Sequence, residues 1–292
     1  MPCSTTTTGG SSTGRRGLII VSDVLSAAQV EQFIVDGCCV LRGAFEPGQA
    51  AAARRQVWRR MEEKAGIRES DPTTWPAAYD IEELLSHPDV LACFTDRLAA
   101  AIEQLVGPGR WYGERRWGFW PVNFAHLADQ PYDVPSFGWH VDGNWFRHTL
   151  DCPNQGLLVI GLFTDIQPRW GGTILALGSH RRTARVLAEH PEGLDHRSLF
   201  DEALADQLGN FREINGGAGD VFLAHPFMFH ARGMKHAGPP RIISNTEAPL
   251  REPMRVMPTV GTAVAPVELA IIRAITEPVS APAFPLRCRF VR

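Results

Sequence analysis

The spacing of two histidines and one aspartate limits what this chain can fold into more than any other feature. His140 and Asp142 are two residues apart, and in an extended strand residues i and i+2 point to the same face. His230 lies far along the sequence and must come from another strand. Two histidines and one carboxylate on one face of a divalent ion leave coordination positions open, which is typical of non-haem Fe(II) that binds O2. The pattern therefore predicts a fold that brings two distant strands to one iron ion.

An arginine beyond the distal histidine predicts a place for an anion. Arg241 begins the returning strand of a hairpin around Gly238-Pro239-Pro240. A buried guanidinium needs an anion, and its planar fork suits a carboxylate better than a lysine would. Ser244 lies on the opposite face of this strand, so Asn245 is the expected neighbour of Arg241. Together with the metal donors, Arg241 indicates an acidic co-substrate.

These motifs resemble those of the phytanoyl-CoA dioxygenase-like group of Fe(II)/2-oxoglutarate oxygenases. In that group a His-x-Asp pair, a distal segment like HPxxxH and an arginine recur in the same order as here. The segment GGTILALGSH at 171–180 is similar to the group's GGT…GSH segment, and residues 25–43 are similar to its N-terminal helix and strand. The resemblance spans roughly residues 23–250. His225 is a rival third metal ligand, and the family pattern favours the second histidine, His230.

The resemblance implies Fe(II) and O2 as cofactors and 2-oxoglutarate as co-substrate, its distal carboxylate paired with Arg241. No catalytic residue beyond the metal ligands is implied. Asn123 and Phe163 are further candidates for co-substrate contact, although a structural hydrogen bond and core packing explain them equally well. The implied reaction hydroxylates or otherwise oxidises a small organic molecule and releases succinate and CO2. Relatives that halogenate replace the carboxylate with a small residue, so Asp142 predicts an oxidation without halide.

Two other classes of protein remain open. A cupin-like metalloenzyme that does not use 2-oxoglutarate would keep the three metal ligands but has no use for Arg241. A non-catalytic jelly-roll binding protein would need none of the four. The substrate is also open, because an acyl-CoA, a free acid, an amino-acid derivative and a specialised metabolite are all compatible. Arg115 and Arg116 either meet a substrate carboxylate or lie on an edge strand, and aromatic residues around the motif either line a pocket or form core.

Composition excludes several partners. The 292 residues are 44% hydrophobic, enough for one well-buried domain. A net charge of −3 gives no basic field, so nucleic acid is not an expected partner. The six cysteines are scattered without a CxxC pair, which favours a reducing cytosol and predicts a cytoplasmic protein. No apolar run approaches the length of a membrane span. The sequence does not indicate an oligomeric state.

The order of patterns along the chain predicts a mainly β fold with helical additions. Residues 1–17 are expected to form a disordered tail, and 18–292 a single oxygenase domain. That domain comprises a helical front at 23–107, a core at about 111–250 and a C-terminal extension at 251–292. Short apolar runs separated by Gly, Pro and Asp clusters predict that the core is a double-stranded β-helix, the cupin-like jelly roll, with the N-terminal helices packed on one sheet.

Local signals predict individual helices. A capping box at Ser26 begins the first helix, which ends at Gly37, and a second helix begins at Pro47. A third runs from Pro88 to Gly107, a polar helical insertion covers residues 190–210, and one helix lies near 267–275. His180 is interpreted as a loop residue that caps backbone groups. The remaining histidines are interpreted as surface residues: His126, His148, His190, His196 and His236.

Overall fold

The computed structural model describes residues 23–204 and 208–278, so the predicted tail at 1–17 lies outside the described residues. Their α-helices are α1 Ala27–Asp36, α2 Pro47–Ala65, α3 Pro88–Leu91, α4 Asp96–Val106, α5 Ser179–Glu189, α6 His196–Leu204 and α7 Pro266–Thr276. Their β-strands are β1 Cys38–Leu41, β2 Ala78–Ile81, β3 Trp120–Asn123, β4 Leu158–Leu162, β5 Thr173–Ala176, β6 Phe211–Glu213, β7 Val221–Ala224, β8 His230–Arg232 and β9 Arg241–Glu247.

The strands form two antiparallel sheets. The larger sheet has the order β1-β7-β4-β9-β3-β2, and the smaller has the order β6-β5-β8. A bridge between His140 and His230 extends the smaller sheet beside β8. From β3 onward the chain winds between the sheets, because β3, β4, β7 and β9 belong to the larger one and β5, β6 and β8 to the smaller one. This winding is that of a jelly roll, so the predicted fold class is confirmed.

Both faces of the larger sheet are covered. Leu162, Phe222 and Ile243 face the smaller sheet and pack with Leu175. Side chains on the opposite face, such as Leu223, belong to the core shared with the N-terminal helices. Because neither face meets solvent, β4 and β7 are continuous apolar runs rather than alternating ones. The metal and arginine motifs lie on the elements around the space between the sheets.

The helix signals at Ser26, Gly37 and Pro47 are confirmed, and the signal from Pro88 to Gly107 is not. The side chain of Ser26 caps α1 in a capping box, and Gly37 ends it with φ +81°, the left-handed region that favours glycine. The single helix predicted from Pro88 to Gly107 is instead two helices, α3 and α4. The prediction was wrong because Thr95 has extended backbone angles and its hydroxyl accepts from the amide of Leu98, which starts a new helix.

The C-terminal helix α7 covers the predicted helix near 267–275 and is anchored by a buried ion pair. Glu268 is fully buried and pairs with Arg110. Its carboxylate also accepts from the backbone amides of Ala265, at 2.8 Å, and Arg255, at 2.6 Å. α6 lies inside the predicted polar insertion at 190–210. Of the helices described, none combines the length and the apolar character needed to cross a membrane.

Candidate functional site

The three predicted metal ligands converge at the edge of the smaller sheet. The amide of His140 donates to the carbonyl of His230 at 3.1 Å, and the amide of His230 donates back at 2.9 Å. The Nε2 atoms of His140 and His230 lie 3.4 and 3.5 Å from Oδ1 of Asp142. Within residues 23–204 and 208–278, this is the one group of three His, Cys, Asp or Glu residues whose ligand atoms lie within 4.8 Å of one another.

Hydrogen bonds to the backbone orient both imidazole rings. Nδ1 of His140 lies 2.9 Å from the carbonyl of Gly138, and Nδ1 of His230 lies 3.1 Å from the carbonyl of Met228. A ring whose Nδ1–H donates to a carbonyl presents the lone pair of Nε2. Nε2 of His230 is buried without a hydrogen-bond partner, an arrangement that costs free energy. A divalent ion would satisfy this atom, so the donor set fits a metal bound by three protein groups.

Electrostatics keeps the carboxylate of the group ionised. Burial raises the pKa of Asp142, but the charges and hydrogen bonds of His230 and His140 more than offset this effect. The pKa of Asp142 therefore lies well below its usual range. Burial lowers the pKa of His140, yet the hydrogen bond and charge of Asp142 bring it above its ordinary value. A metal ligand must be deprotonated, so Asp142 is in the form that binds a cation.

Two further histidines support the backbone around Asp142. His148 is buried, and its Nε2 lies 3.0 Å from the carbonyl of Gly143. His196 on α6 places Nε2 2.9 Å from the carbonyl of Val141. Burial lowers the pKa of His148 to about 4, so this ring is neutral at physiological pH. Its interpretation as a surface residue was wrong, because the contacts that bury it come from residues distant in sequence.

The rival third ligand does not join the group. His225 is fully buried, its Nε2 lies 3.2 Å from the carbonyl of Val267, and its Nδ1 accepts from the amide of Phe227 at 3.2 Å. Both ring nitrogens of His225 therefore form hydrogen bonds with backbone groups, one of them in α7, and His225 is not part of the metal group. His180, predicted in a loop, lies in α5 and packs against His225 with ring centroids 5.0 Å apart.

Arg241 is a buried cation without a carboxylate partner. Its side chain is 1% exposed, Nε donates to the carbonyl of Gly171 at 2.8 Å, and Nη1 donates to that of Pro121 at 3.0 Å. No carboxylate of the described residues lies within 4.0 Å of its guanidinium nitrogens. Burial, and then repulsion from Arg232, lowers the pKa of Arg241 to about 9. An uncompensated buried charge costs several kcal/mol, so this site favours an anionic ligand.

The candidate Asn123 is the direct neighbour of Arg241 across the sheet. Its Nδ2 donates to the carbonyl of Gly233 at 3.0 Å and lies 3.4 Å from that of Gly171, while its Oδ1 accepts from the amide of His126 at 3.0 Å. Gly171 has φ +78°, and a Cβ there would lie 2.5 Å from Asn123 Nδ2. The close approach explains this glycine, and direct contact of Asn123 with a co-substrate stays a prediction.

The candidate Phe163 lies on the other side of the larger sheet from Arg241. Its neighbour Leu162 pairs with Ile243 and faces the smaller sheet, and the Phe163 ring points the opposite way. The ring packs with Trp120 and Trp117, at centroid distances of 4.8 and 5.4 Å, under the N-terminal helices. Core packing, the alternative left open by the sequence, therefore accounts for Phe163. The sequence did not indicate which face of the strand this ring takes.

The chain is similar to known dioxygenases in sequence. It is 25% identical over 217 residues to ectoine dioxygenase of Bordetella parapertussis, covering 68% of this chain and 67% of that protein. The ectoine dioxygenase of Bordetella bronchiseptica gives the same values. No protein-family model matches the chain. The name of these relatives agrees with the class of enzyme predicted from the metal and arginine motifs.

Solved structures give weaker likenesses. AviO1 from Streptomyces viridochromogenes Tue57 is 17% identical with a TM-score of 0.49, and 80% of this chain and 98% of that chain are covered. EctD from S. alaskensis, in a structure with 2-oxoglutarate and 5-hydroxyectoine, is 18% identical with a TM-score of 0.49 and 78% coverage of both chains. The fold assignment therefore rests on the strand order of this chain.

Proposed function

We propose that this protein is a non-haem Fe(II)- and 2-oxoglutarate-dependent dioxygenase that oxidises a small organic molecule. The observation that carries the proposal is a pair of incomplete sites in one fold. One is a group of two histidines and an aspartate in which Nε2 of His230 is buried without a partner. The other is the buried, carboxylate-free Arg241. The similarity to ectoine dioxygenases supports the same class of activity.

His140, Asp142 and His230 would hold Fe(II), and Arg241 would pair with the distal carboxylate of 2-oxoglutarate. Bound Fe(II) would couple the oxidation of substrate by O2 to the conversion of 2-oxoglutarate into succinate and CO2. The protein aims both Nε2 atoms at one point through the bonds from Nδ1 to backbone carbonyls. It also holds Asp142 ionised, and His148 fixes the adjoining backbone. Burial around Arg241 excludes water that would screen its attraction for a carboxylate.

The finer features predicted from sequence are part of the same proposal. Asn123 lies beside Arg241 on the same face of the larger sheet, which supports a place at the co-substrate site. The order of motifs supports assignment to the phytanoyl-CoA dioxygenase-like group. The single oxygenase domain at 18–292 is supported by the shared core of helices and larger sheet. Four unpaired cysteines among the described residues, Cys38, Cys39, Cys93 and Cys152, support a reducing cytosol as its location.

A spectroscopic experiment tests the proposed function. Anaerobic protein with Fe(II) and 2-oxoglutarate is expected to show the weak visible charge-transfer band of the chelate, and O2 is expected to release succinate. A cupin-like metalloenzyme that does not use 2-oxoglutarate would bind the metal without this band. A non-catalytic binding protein would show neither bound metal nor succinate. Absence of the band in folded, iron-loaded protein contradicts the proposal.

The presence of Asp142 predicts that the enzyme does not halogenate. With Fe(II) held by His140, Asp142 and His230, the carboxylate would leave no room for the halide ion that halogenation needs. With its substrate, the unmutated enzyme in concentrated chloride or bromide is expected to give products that contain oxygen or have lost hydrogen. Mass spectrometry of products formed under 18O2 checks this, and a halogenated product would overturn it. Asp142→Gly is the matched variant and is expected to lose hydroxylation.

A further inference from the structure

The strand that carries Arg241 places two further polar side chains on the same face. Alternate residues of a strand share a face, so Asn245 and Glu247 point the same way as Arg241. Register supports this, because Asn245 pairs with Ile160 and Glu247 pairs with Leu158, and both partners face the smaller sheet. The row therefore begins at the proposed co-substrate anchor and continues toward the opposite end of the space between the sheets.

Glu247 interacts electrostatically with the metal group and has no ion-pair partner among the described residues. Burial raises the pKa of Glu247, and the charge of Asp142 raises it further, so the two carboxylates lie near enough to repel each other. Among the described residues, no cation lies within 4.0 Å of the Glu247 carboxylate, and the hydrogen bond it accepts comes from its own backbone amide. Arg116 acts on it from farther away and forms its own ion pair with Glu114 at 2.8 Å.

Asn245 supplies a second, independent sign of a missing ligand. Its side chain is 9% exposed, and its Oδ1 is buried without a hydrogen-bond donor. A buried amide oxygen without a donor costs free energy, and such groups in a native fold call for an explanation. The amide oxygen of Asn245 and the carboxylate of Glu247 are two residues apart on one face of β9. Together they present two hydrogen-bond acceptors, one of them negatively charged, to a ligand in the space between the sheets.

We propose that Asn245 and Glu247 form the substrate-recognition subsite, and that the substrate carries a cationic nitrogen group such as an ammonium, amidinium or guanidinium. This inference rests on the proposed function. The cation pairs with the Glu247 carboxylate, and one of its N–H groups donates to Oδ1 of Asn245. A neutral group could donate hydrogen bonds but would leave Glu247 without a counter-charge, and an anionic group would be repelled by it. The subsite narrows the open list of substrates, since a free acid or an acyl-CoA brings no cationic nitrogen.

Minimal probes test the subsite without knowledge of the full substrate. The anaerobic complex of protein, Fe(II) and 2-oxoglutarate is titrated with acetamidinium and, separately, with acetamide, its neutral counterpart, at ionic strength equalised with sodium chloride. Acetamidinium is expected to perturb the charge-transfer band saturably, and acetamide is not. In Glu247→Gln the acetamidinium affinity is expected to fall about ten-fold or more, because the cation loses its counter-charge. Asn245→Ala is expected to weaken the same binding.

Controls separate this inference from the proposed function. Glu247→Gln has nearly the same shape, breaks no ion pair of the described residues and can still accept from its own backbone amide, so it should retain the band. Glu62→Gln, on the exposed surface of α2, is the matched control and should bind acetamidinium as the unmutated protein does. If the band is absent from all variants, the proposed function fails. If the band forms but acetamidinium and acetamide act alike, or Glu247→Gln changes nothing, the subsite is wrong.

Discussion

His230→Ala is expected to abolish Fe(II)-dependent turnover and to leave a folded protein that no longer retains iron. The buried Nε2 of His230 faces Asp142 at 3.5 Å and has no other partner in the described structure, so a metal ion depends on it directly. Loss of a group that merely supports a metal ligand costs 10–100-fold in affinity, and loss of a ligand should exceed about 100-fold. Iron content per folded protein and succinate release measure the two effects. His140→Ala and Asp142→Ala are expected to behave in the same way.

His225→Ala is the matched control, since it removes a histidine from the same segment. His225 makes its bonds to backbone groups of Val267 and Phe227, away from the metal group. The variant leaves a cavity in the core and is expected to be less stable, by roughly 1–3 kcal/mol for the lost buried contacts. It should nevertheless retain iron and measurable turnover. Iron lost from His225→Ala and retained by His230→Ala would reverse the assignment of the third ligand.

The parts of the site that depend on local periodicity were predictable from the sequence. Alternation along a strand separates Ser244 from Arg241 and puts Asn245 on the side of Arg241. His140 and Asp142 meet as predicted, but the strand predicted there is only a bridge at His140, and Asp142 lies in a bend. The end of α1 at Gly37 and the start of α2 at Pro47 were also predictable, because helix capping depends on residues close together in the sequence.

The parts that depend on contacts between distant residues were not predictable. His148 is buried by elements that the sequence does not place beside it, and the electrostatic interaction of Glu247 with Asp142 joins residues that are far apart in the sequence. A phenylalanine such as Phe163 is compatible with both a ligand pocket and a hydrophobic core. Only the register of β4 against β9 shows which face of the sheet its ring takes. The break between α3 and α4 at Thr95 was also not predictable, because a threonine is compatible with both a helix interior and an N-cap.

Arg241→Ala is expected to raise the 2-oxoglutarate requirement steeply while iron stays bound. The side chain is buried and has no carboxylate within the described protein, so the co-substrate would be its counter-charge. Removing one partner of a buried charged pair costs on the order of 2–5 kcal/mol, which corresponds to roughly 30-fold to several-thousand-fold in affinity. Titration of the anaerobic charge-transfer band with 2-oxoglutarate measures the change directly.

Thermal unfolding distinguishes this loss of binding from simple damage to the fold. A ligand that binds only the folded state raises stability by an amount that depends on its concentration relative to its Kd. Added 2-oxoglutarate should therefore raise the Tm of iron-loaded protein, and the rise should disappear in Arg241→Ala at the same concentration. Arg55→Ala, which removes an exposed arginine from α2, should keep the full rise. An unchanged response in Arg241→Ala would show that 2-oxoglutarate binds without this arginine. No rise in the unmutated protein would instead favour the cupin-like metalloenzyme, because that enzyme needs the three metal ligands and not the buried guanidinium.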